Sequence, residues 1–219
     1  MKEECDVNVL LINGSPNEKG CTYTALKEVE KTLNECGIGT ELLHIGAGAI
    51  QGCTGCGACK GGGECIFDDD NEIVTIARNK LNEADGLIVG SPVYFASANG
   101  SLIAFLDRLL YGGKVKCAYK PAAAIASARR AGATATLDEL NKYFSVRQMP
   151  IVSSQYWCMV HGNTPDEVKQ DLEGMQIMRT LGRNMAWLLK CMEAGKKAGV
   201  PMPENESRIS TNFIRQLLL

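Results

Sequence analysis

The chain has 219 residues, a formal net charge of -2 and a pI near 5.8. This length suits one domain with a single hydrophobic core, which buries roughly 70% of the surface exposed by the unfolded chain. The balanced charge, with no block of Lys and Arg, argues against a nucleic-acid-binding protein.

The first residues and the cysteine content indicate a compartment. Residues 1–6 are acidic and polar, and no run reaches the roughly 18 apolar residues that a membrane-spanning helix needs. We therefore expect a cytoplasmic protein. In a reducing compartment its ten cysteines are expected to be thiols, metal ligands or redox groups rather than a disulfide framework.

Strand-like apolar runs alternate with helical patterns along the chain. The predicted strands cover residues 7–12, 41–45, 86–90, 122–126 and 150–156. The predicted helices cover 22–36, 73–84, 100–111 and 137–144, followed by one long helix that begins with Thr164 as N-cap and Pro165 at the first position. This βαβα alternation predicts an α/β fold, with a doubly wound parallel sheet covered by helices on both faces.

The segment from Asn13 to Thr22 joins the first strand to the first helix. Glycines and hydroxyls at Gly14, Ser15 and Gly20 can bring backbone N–H groups close to an anion at the helix N-terminus. The segment lacks the Gly-Lys-Ser/Thr ending for a nucleoside triphosphate and the Gly-x-Gly-x-x-Gly spacing for a dinucleotide. It therefore predicts a site for one terminal phosphate, which fits FMN on a flavodoxin-like sheet. The alternative is an ordinary turn without a ligand.

Two later segments are expected at the same edge of the sheet. The third strand leads into 91–99, where Tyr94 and Phe95 can wall a flat ring; the alternative is that both belong to the core. The fourth strand leads into 127–136, where Arg129 and Arg130 can face flavin carbonyls or the phosphates of a nicotinamide cofactor. The alternative there is a solvated arginine pair.

Four cysteines, Cys53, Cys56, Cys59 and Cys65, follow the spacing C-x2-C-x2-C-x5-C. Thiolates at this spacing can surround an iron–sulfur cluster, and the intervening glycines allow the backbone to close round it. Structural zinc usually takes cysteine pairs from separated knuckles, which makes zinc the weaker interpretation. The same spacing also allows a bare thiol cluster, a redox disulfide between Cys56 and Cys59, or cysteines that line a pocket.

Three further features complete the sequence pattern. The acidic step 68–71 is predicted to cap the second helix rather than to bind a metal. Asp107 and Arg108 are predicted to form a polar or ion-pair feature near the end of the third helix. We expect one domain over 1–199, with the cysteine segment 53–65 as an insert, and a tail over 200–219 that packs on the domain or on a second subunit.

In combination, these motifs resemble the flavodoxin-like NADPH-dependent FMN reductases, and within them the iron–sulfur flavoproteins. The motifs are Asn13-Gly14-Ser15-Pro16-Asn17, the cysteine segment with the aspartates after it, Ser91-Pro92-Val93-Tyr94-Phe95 and Asp107-Arg108. The resemblance implies five parallel strands in the order 2-1-3-4-5. It also implies an FMN phosphate held by the first loop, a ring flanked by 92–95 and a far edge at Ser127. With the remaining loop residues, the predicted cofactor-binding residues are Ser15, Asn17, Gly20, Cys21, Thr22, Pro92, Val93, Tyr94, Phe95, Ser127 and Arg129.

The predicted function is that of an FMN-dependent oxidoreductase. Electrons would pass from NAD(P)H or ferredoxin to an organic or protein acceptor, with a 4Fe-4S cluster at the four cysteines as a further carrier. No general acid or base is predicted, because the cofactor carries the chemistry. Two alternatives are a non-catalytic flavodoxin-type carrier and an FMN, quinone or nitro reductase without a cluster. We expect a homodimer or homotetramer, with no nucleic-acid or membrane partner.

Overall fold

The structure, a computed structural model, describes residues 7–69, 72–112, 115–204, 206 and 209. Several predicted features lie outside the described residues: Cys5, half of the acidic step at 70–71, and the apolar end of the tail at 210–219. In the described ranges, no helix combines the length and apolar character that crossing a bilayer requires.

The strands form one sheet in the predicted order. Within the described residues they are β1 (Asn8–Asn13), β2 (Gly39–His44), β3 (Gly86–Tyr94), β4 (Ser97–Ala98), β5 (Ala122–Ala128) and β6 (Met159–His161). The sheet runs β2-β1-β3-β5-β6 with all neighbours parallel, while the short β4 folds back antiparallel on β3. Apart from β4 this is the predicted order 2-1-3-4-5, so the flavodoxin-like fold is confirmed.

Helices lie on both faces of the sheet, and most follow the predicted pattern. They are α1 (Cys21–Glu35), α2 (Ile73–Glu83), α3 (Gly100–Tyr111), α4 (Ala133–Val146), α5 (Pro165–Gln170) and α6 (Leu172–Lys197). The apolar stripe of α1, which includes Leu26, Val29 and Leu33, is fully buried. Such stripes cover the two faces of the central strands and exclude water from the core.

The last strand lies further along the chain than predicted. Residues 150–156 form only an isolated bridge, between Ile151 and Ala122, and the strand itself is β6. Hydrogen bonds to α6 hold the intervening backbone: Ser154 Oγ donates to the Ile177 carbonyl (2.7 Å), and Asn184 donates to the Ser153 carbonyl (2.8 Å). The segment therefore pairs with Ala122 of β5 only as far as Val152, and its later part is tied to α6 instead of continuing the ladder.

The long C-terminal helix is divided in two, and α2 has a different cap from the one predicted. Thr164 caps α5, as predicted, but Asp171 interrupts the helix because its carboxylate accepts from the N–H groups of Gly174 (2.9 Å) and His161 (2.7 Å). At α2 the N-cap is Glu72 rather than a residue of the acidic step.

Lys120 closes the C-terminal end of α2. Its Nζ donates to the carbonyls of Leu81 (2.6 Å), Asn82 (3.1 Å) and Ala84. Carbonyls at a helix C-terminus have no partner within the helix, so this half-buried cation satisfies them. Burial lowers the pKa of the Lys120 ammonium, and the nearby Asp85 carboxylate opposes this shift.

Replacing Lys120 with methionine should lower the free energy of unfolding by about 2 kcal/mol, because the alkyl chain remains but all three charged hydrogen bonds are lost. Urea unfolding of both proteins measures this difference. Lys190→Met, at an exposed position of α6, is the control and should change stability by less than about 0.5 kcal/mol. Equal effects of the two substitutions would contradict the capping role of Lys120.

Candidate cofactor site

The loop after β1 is shaped by a buried asparagine. The Asn13 side chain is fully buried; its Oδ1 accepts from the Ser15 N–H (3.1 Å), and its Nδ2 donates to the Glu18 carbonyl (2.9 Å). The Gly14 N–H donates to the Gly90 carbonyl of β3 (2.8 Å). These bonds fix the loop at the carboxyl edge of the sheet.

The structure brings the first and third predicted loops together. Thr22 Oγ1, at the start of α1, lies 2.8 Å from Ser127 Oγ, at the end of β5, and both side chains are buried. In the first loop, Ser15 Oγ accepts from the Asn17 N–H (3.1 Å). Two hydroxyl-bearing loops, far apart in sequence, therefore share one small region of the sheet edge.

Two helices that begin at this edge have no side-chain cap. The N-cap residues of α1 and α4 are Gly20 and Gly132, and neither offers a side-chain acceptor. By contrast, α2, α3, α5 and α6 have side-chain caps, from Glu72, Asn99, Thr164 and Asp171. Free N–H groups and the positive end of the helix dipole favour an anion at the start of α1 and α4.

The return from β3 to β4 presents an aromatic ring to solvent. Phe95 is 106% exposed and Tyr94 is 44% exposed, so the alternative that both are core residues is wrong. Phe95 and Ala96 have φ angles of 52° and 59°, the left-handed region that side-chain-bearing residues rarely adopt. Two strained residues in succession beside an exposed ring indicate a binding site.

Contacts with α4 hold this return in place. Glu139 Oε2 accepts from Ser97 Oγ (2.7 Å) and from the Ala98 N–H (2.8 Å). Gly132, with φ of 90°, lies so close that a Cβ there would stand 2.6 Å from Ala96 Cα. Glu139 and the missing side chain at Gly132 therefore set the position of the aromatic return.

The remaining predicted flavin-binding residues lie around these loops. Pro92 and Val93 are half-buried at the end of β3, while Arg129 and Arg130 are exposed after β5. Cys21 is half-buried, with Sγ 3.7 Å from the Gly162 carbonyl. Burial raises the pKa of the Cys21 thiol and the charge of Glu167 adds to this, against a hydrogen bond from its own backbone N–H.

The four predicted cluster ligands are all described, and all are free thiols. Cys53 and Cys56 are exposed, and Cys59 and Cys65 are half-buried. The described residues contain no group of three or more Cys, His, Asp or Glu side chains placed to hold a metal ion. The cluster therefore stays a prediction. The donor set nevertheless fits a cluster, because four thiols lie on a segment with left-handed glycines at 55, 57, 61 and 62.

The polar pair in α3 is confirmed as a polar feature, although its two residues face different partners. Asp107 accepts from the Tyr143 hydroxyl (2.6 Å); burial and this hydrogen bond raise the pKa of Tyr143. Asp107 and Tyr143 line a cavity of about 490 Å³, together with Cys53 and Cys59. Arg108 is buried and forms ion pairs behind the cysteine segment.

Sequence reasoning did not predict the role of three residues that shape the site. Asn13 and Glu139 fix two of the loops, and His44 Nε2 lies 2.7 Å from the Ser15 carbonyl. The available signal for Asn13 was its position directly after the apolar run 7–12, whereas His44 lies inside the predicted strand 41–45 and carried no such signal. Nothing in the sequence pattern marked Glu139, because it lies on a helix that is distant along the chain from the loop it contacts.

Known proteins resemble this chain in sequence over most of its length. The sequence profile of a family described as NADPH-dependent FMN reductase matches residues 7–164. An iron-sulfur flavoprotein of Methanocaldococcus jannaschii is 31% identical over 196 residues, which cover 85% of this chain and 100% of that protein. Another, from Methanosarcina thermophila, is 24% identical over 189 residues, covering 84% of this chain and 96% of that protein.

Solved structures share the fold at low sequence identity. RosB with a bound intermediate, 8-demethyl-8-formylriboflavin-5'-phosphate, has a TM-score of 0.67 at 14% identity, covering 97% of this chain and 94% of that one. The NAD(P)H:(acceptor) oxidoreductase FerB from Paracoccus denitrificans has a TM-score of 0.60 at 14% identity, covering 84% and 98%. The matches in sequence, to the family profile and to the iron-sulfur flavoproteins, show that the chain belongs to the NADPH-dependent FMN reductase family and, within it, to the iron–sulfur flavoproteins.

Proposed function

We propose that this protein is an oxidoreductase that binds FMN at the carboxyl edge of its sheet. The observation that carries the proposal is the meeting of Thr22 Oγ1 and Ser127 Oγ, 2.8 Å apart, beside two helices without side-chain caps. Family membership supports the choice of FMN among phosphate-bearing ligands. FMN held there would supply hydride and single-electron transfer, which no amino-acid side chain provides.

Neutral donors of the first loop would hold the phosphate. Ser15 and Thr22 offer hydroxyls, Asn17 an amide, and the region from Gly20 into α1 offers backbone N–H groups at the positive end of the helix dipole. The Cys21 thiol, whose pKa is raised by burial above its ordinary value, adds no negative charge beside the phosphate at neutral pH. This donor set suits a dianion without a metal ion or a lysine.

The aromatic return would hold the flavin ring. Phe95 offers an apolar, polarisable face, and its backbone is fixed before any ligand arrives. Pro92, Val93 and Tyr94 extend this wall, and Ser127 and Arg129 lie toward the neighbouring loop. A fixed wall lowers the entropic cost of ordering the ring and excludes water from one of its faces.

We further propose NAD(P)H or ferredoxin as the electron donor, an organic or protein acceptor, and a 4Fe-4S cluster held by Cys53, Cys56, Cys59 and Cys65. The names of the iron–sulfur flavoprotein relatives and the four free thiols support the cluster. A cluster would add one-electron transfer to the flavin chemistry. The cytoplasmic location, the tail contact and the homodimer or homotetramer stay predictions.

Anaerobic mixing of the purified protein with NADPH or NADH tests the enzymatic role. An oxidoreductase that uses either donor should lose its oxidised flavin absorbance and regain it when a quinone or nitro compound is added. If neither nucleotide changes the flavin spectrum but reduced ferredoxin bleaches it, then ferredoxin rather than NAD(P)H is the electron donor. If no donor supports repeated reduction and reoxidation of the flavin, the result would favour the non-catalytic electron carrier instead.

Gly132→Ala should weaken FMN binding by about tenfold, because its Cβ would push Ala96 and the aromatic return out of position. Titration by flavin fluorescence measures the effect. Gly37→Ala is the matched control, since Gly37 also has a left-handed backbone but no atom within 4 Å of a Cβ. The control should lose stability and keep its FMN affinity. Equal FMN affinity in Gly132→Ala and the wild type would contradict the assigned ring position.

A further inference from the structure

One buried guanidinium reaches both ends of the cysteine segment. Arg108 Nη1 donates to the carbonyl of Gln51 (3.4 Å), two residues before Cys53, and Nη2 donates to the carbonyl of Phe67 (3.2 Å), two residues after Cys65. The Arg108 side chain is 2% exposed. Its bonds therefore close the segment into a loop against α3.

Arg108 is itself held in a fixed orientation. Its two terminal nitrogens donate to the two carboxylate oxygens of Glu72, at 3.0 and 3.1 Å, a bidentate pairing that fixes the plane of the guanidinium. Glu72 is fixed in turn, because it caps α2 by accepting from the N–H groups of Val74 (3.0 Å) and Thr75 (3.3 Å). The guanidinium carbon also lies 5.5 Å from the centre of the Phe67 ring.

The same network reaches the backbone of Cys65 through Asp68. Asp68 Oδ2 accepts from Arg78 Nη1 (2.6 Å) and from the Cys65 N–H (3.2 Å), and the Asp68 N–H donates to the Cys65 carbonyl (3.0 Å). Arg108 Nη2 lies 3.7 Å from Asp68 Oδ1. Cys65 is therefore anchored through both its N–H and its carbonyl, whereas Cys53 and Cys56 are exposed on irregular backbone.

We propose that Arg108 is a positioning residue for the cluster-binding cysteines. It joins the two ends of the cysteine segment and, through Asp68, fixes Cys65 as the anchored ligand, so that Cys53, Cys56 and Cys59 only have to close over a short distance. Loop closure costs less entropy when the ends are already held together. The inference rests on the cluster of the proposed function, but the closed loop can be tested without a cluster.

Arg108→Lys is the test, because lysine keeps the charge but has one donor nitrogen, whereas Arg108 reaches the Gln51 and Phe67 carbonyls from two separate nitrogens. In the metal-free protein, amide hydrogen exchange at Cys65 and Asp68 should quicken by roughly tenfold or more, as expected when charged hydrogen bonds are lost. After anaerobic reconstitution, iron bound per chain should fall several-fold while bound FMN stays at the wild-type level. Arg179→Lys, which alters the α6–α1 contact with Glu28 (2.7 Å), is the control. It should match the wild type in amide exchange, bound iron and bound FMN.

Unchanged exchange and iron content in a folded Arg108→Lys protein would overturn the inference. If the variant does not fold, hydrogen exchange in the wild-type protein still tests the inference. The amides of Cys65 and Asp68 should be protected, while those of 53–57 exchange freely. Equal exchange in both stretches would also overturn it. A wild-type protein that takes up no iron would refute the cluster, and the exchange data would still show whether Arg108 closes the segment.

Discussion

Thr22→Val is expected to weaken FMN binding by roughly tenfold to a hundredfold and to leave riboflavin binding unchanged. Valine has the shape of threonine and keeps the methyl group that lies against Gly90, but it removes the buried hydroxyl that faces Ser127. A hydrogen bond to a charged group contributes about 1.5–3 kcal/mol, which is the source of the expected factor. Fluorescence titration with both flavins measures it.

Comparing the two flavins separates the effect of the substitution on phosphate binding from its effect on ring binding. Riboflavin lacks the phosphate but has the same ring, so a hydroxyl whose contact with the flavin is made at the phosphate should not affect riboflavin binding. Thr40→Val is the control, because the Thr40 hydroxyl donates to Asn34 Oδ1 (3.0 Å) at the half-buried start of β2, outside the predicted site. An equal loss for FMN and riboflavin would show a damaged fold, and no loss for FMN would place the phosphate elsewhere.

Cys59→Ser should remove the cluster while FMN stays bound. A serine hydroxyl is a much poorer ligand for iron than a thiolate, so iron and sulfide per chain should fall at least about tenfold after anaerobic purification. The broad visible absorbance of the cluster should disappear, leaving the flavin bands. Metal analysis together with the absorption spectrum checks this result.

Cys191→Ser is the matched control for the cluster, since Cys191 is an exposed free thiol on α6, outside the cysteine segment. It should keep the wild-type iron content. Wild-type iron content in Cys59→Ser would contradict the four-cysteine site. Zinc in place of iron in the wild-type protein would favour the zinc interpretation, and a protein free of both metals would favour a reductase that uses no cluster.

The arrangement of strands and helices was predictable because it depends on local periodicity. Continuous apolar runs marked β1, β3 and β5, and helical spacing marked α1 and α3 within a residue of their ends. The last strand was misplaced because 150–152 begins to pair with β5, whereas Ser153 and Ser154 bond α6, which comes later in the chain. No local pattern contains that competition between two partners.

The loops of the candidate site were predictable from the sequence, but the residues that hold those loops in place were not. Glycines and hydroxyls after a strand indicated the first loop, and the structure places Thr22 against Ser127. Glu139 and Arg108 act through hydrogen bonds to residues about forty positions away, a relation that residue spacing cannot reveal. The position of the return that carries Phe95 likewise depends on the hydrogen bonds that Ser97 and Ala98 donate to Glu139 of α4.

Flavin content of the protein isolated without oxygen tests most directly whether this sheet edge binds FMN. Extraction and quantification should give a single FMN per chain, and protein stripped of flavin should bind added FMN and become yellow. A folded, colourless protein that does not bind added FMN, with circular dichroism showing intact helices, would contradict the proposed site.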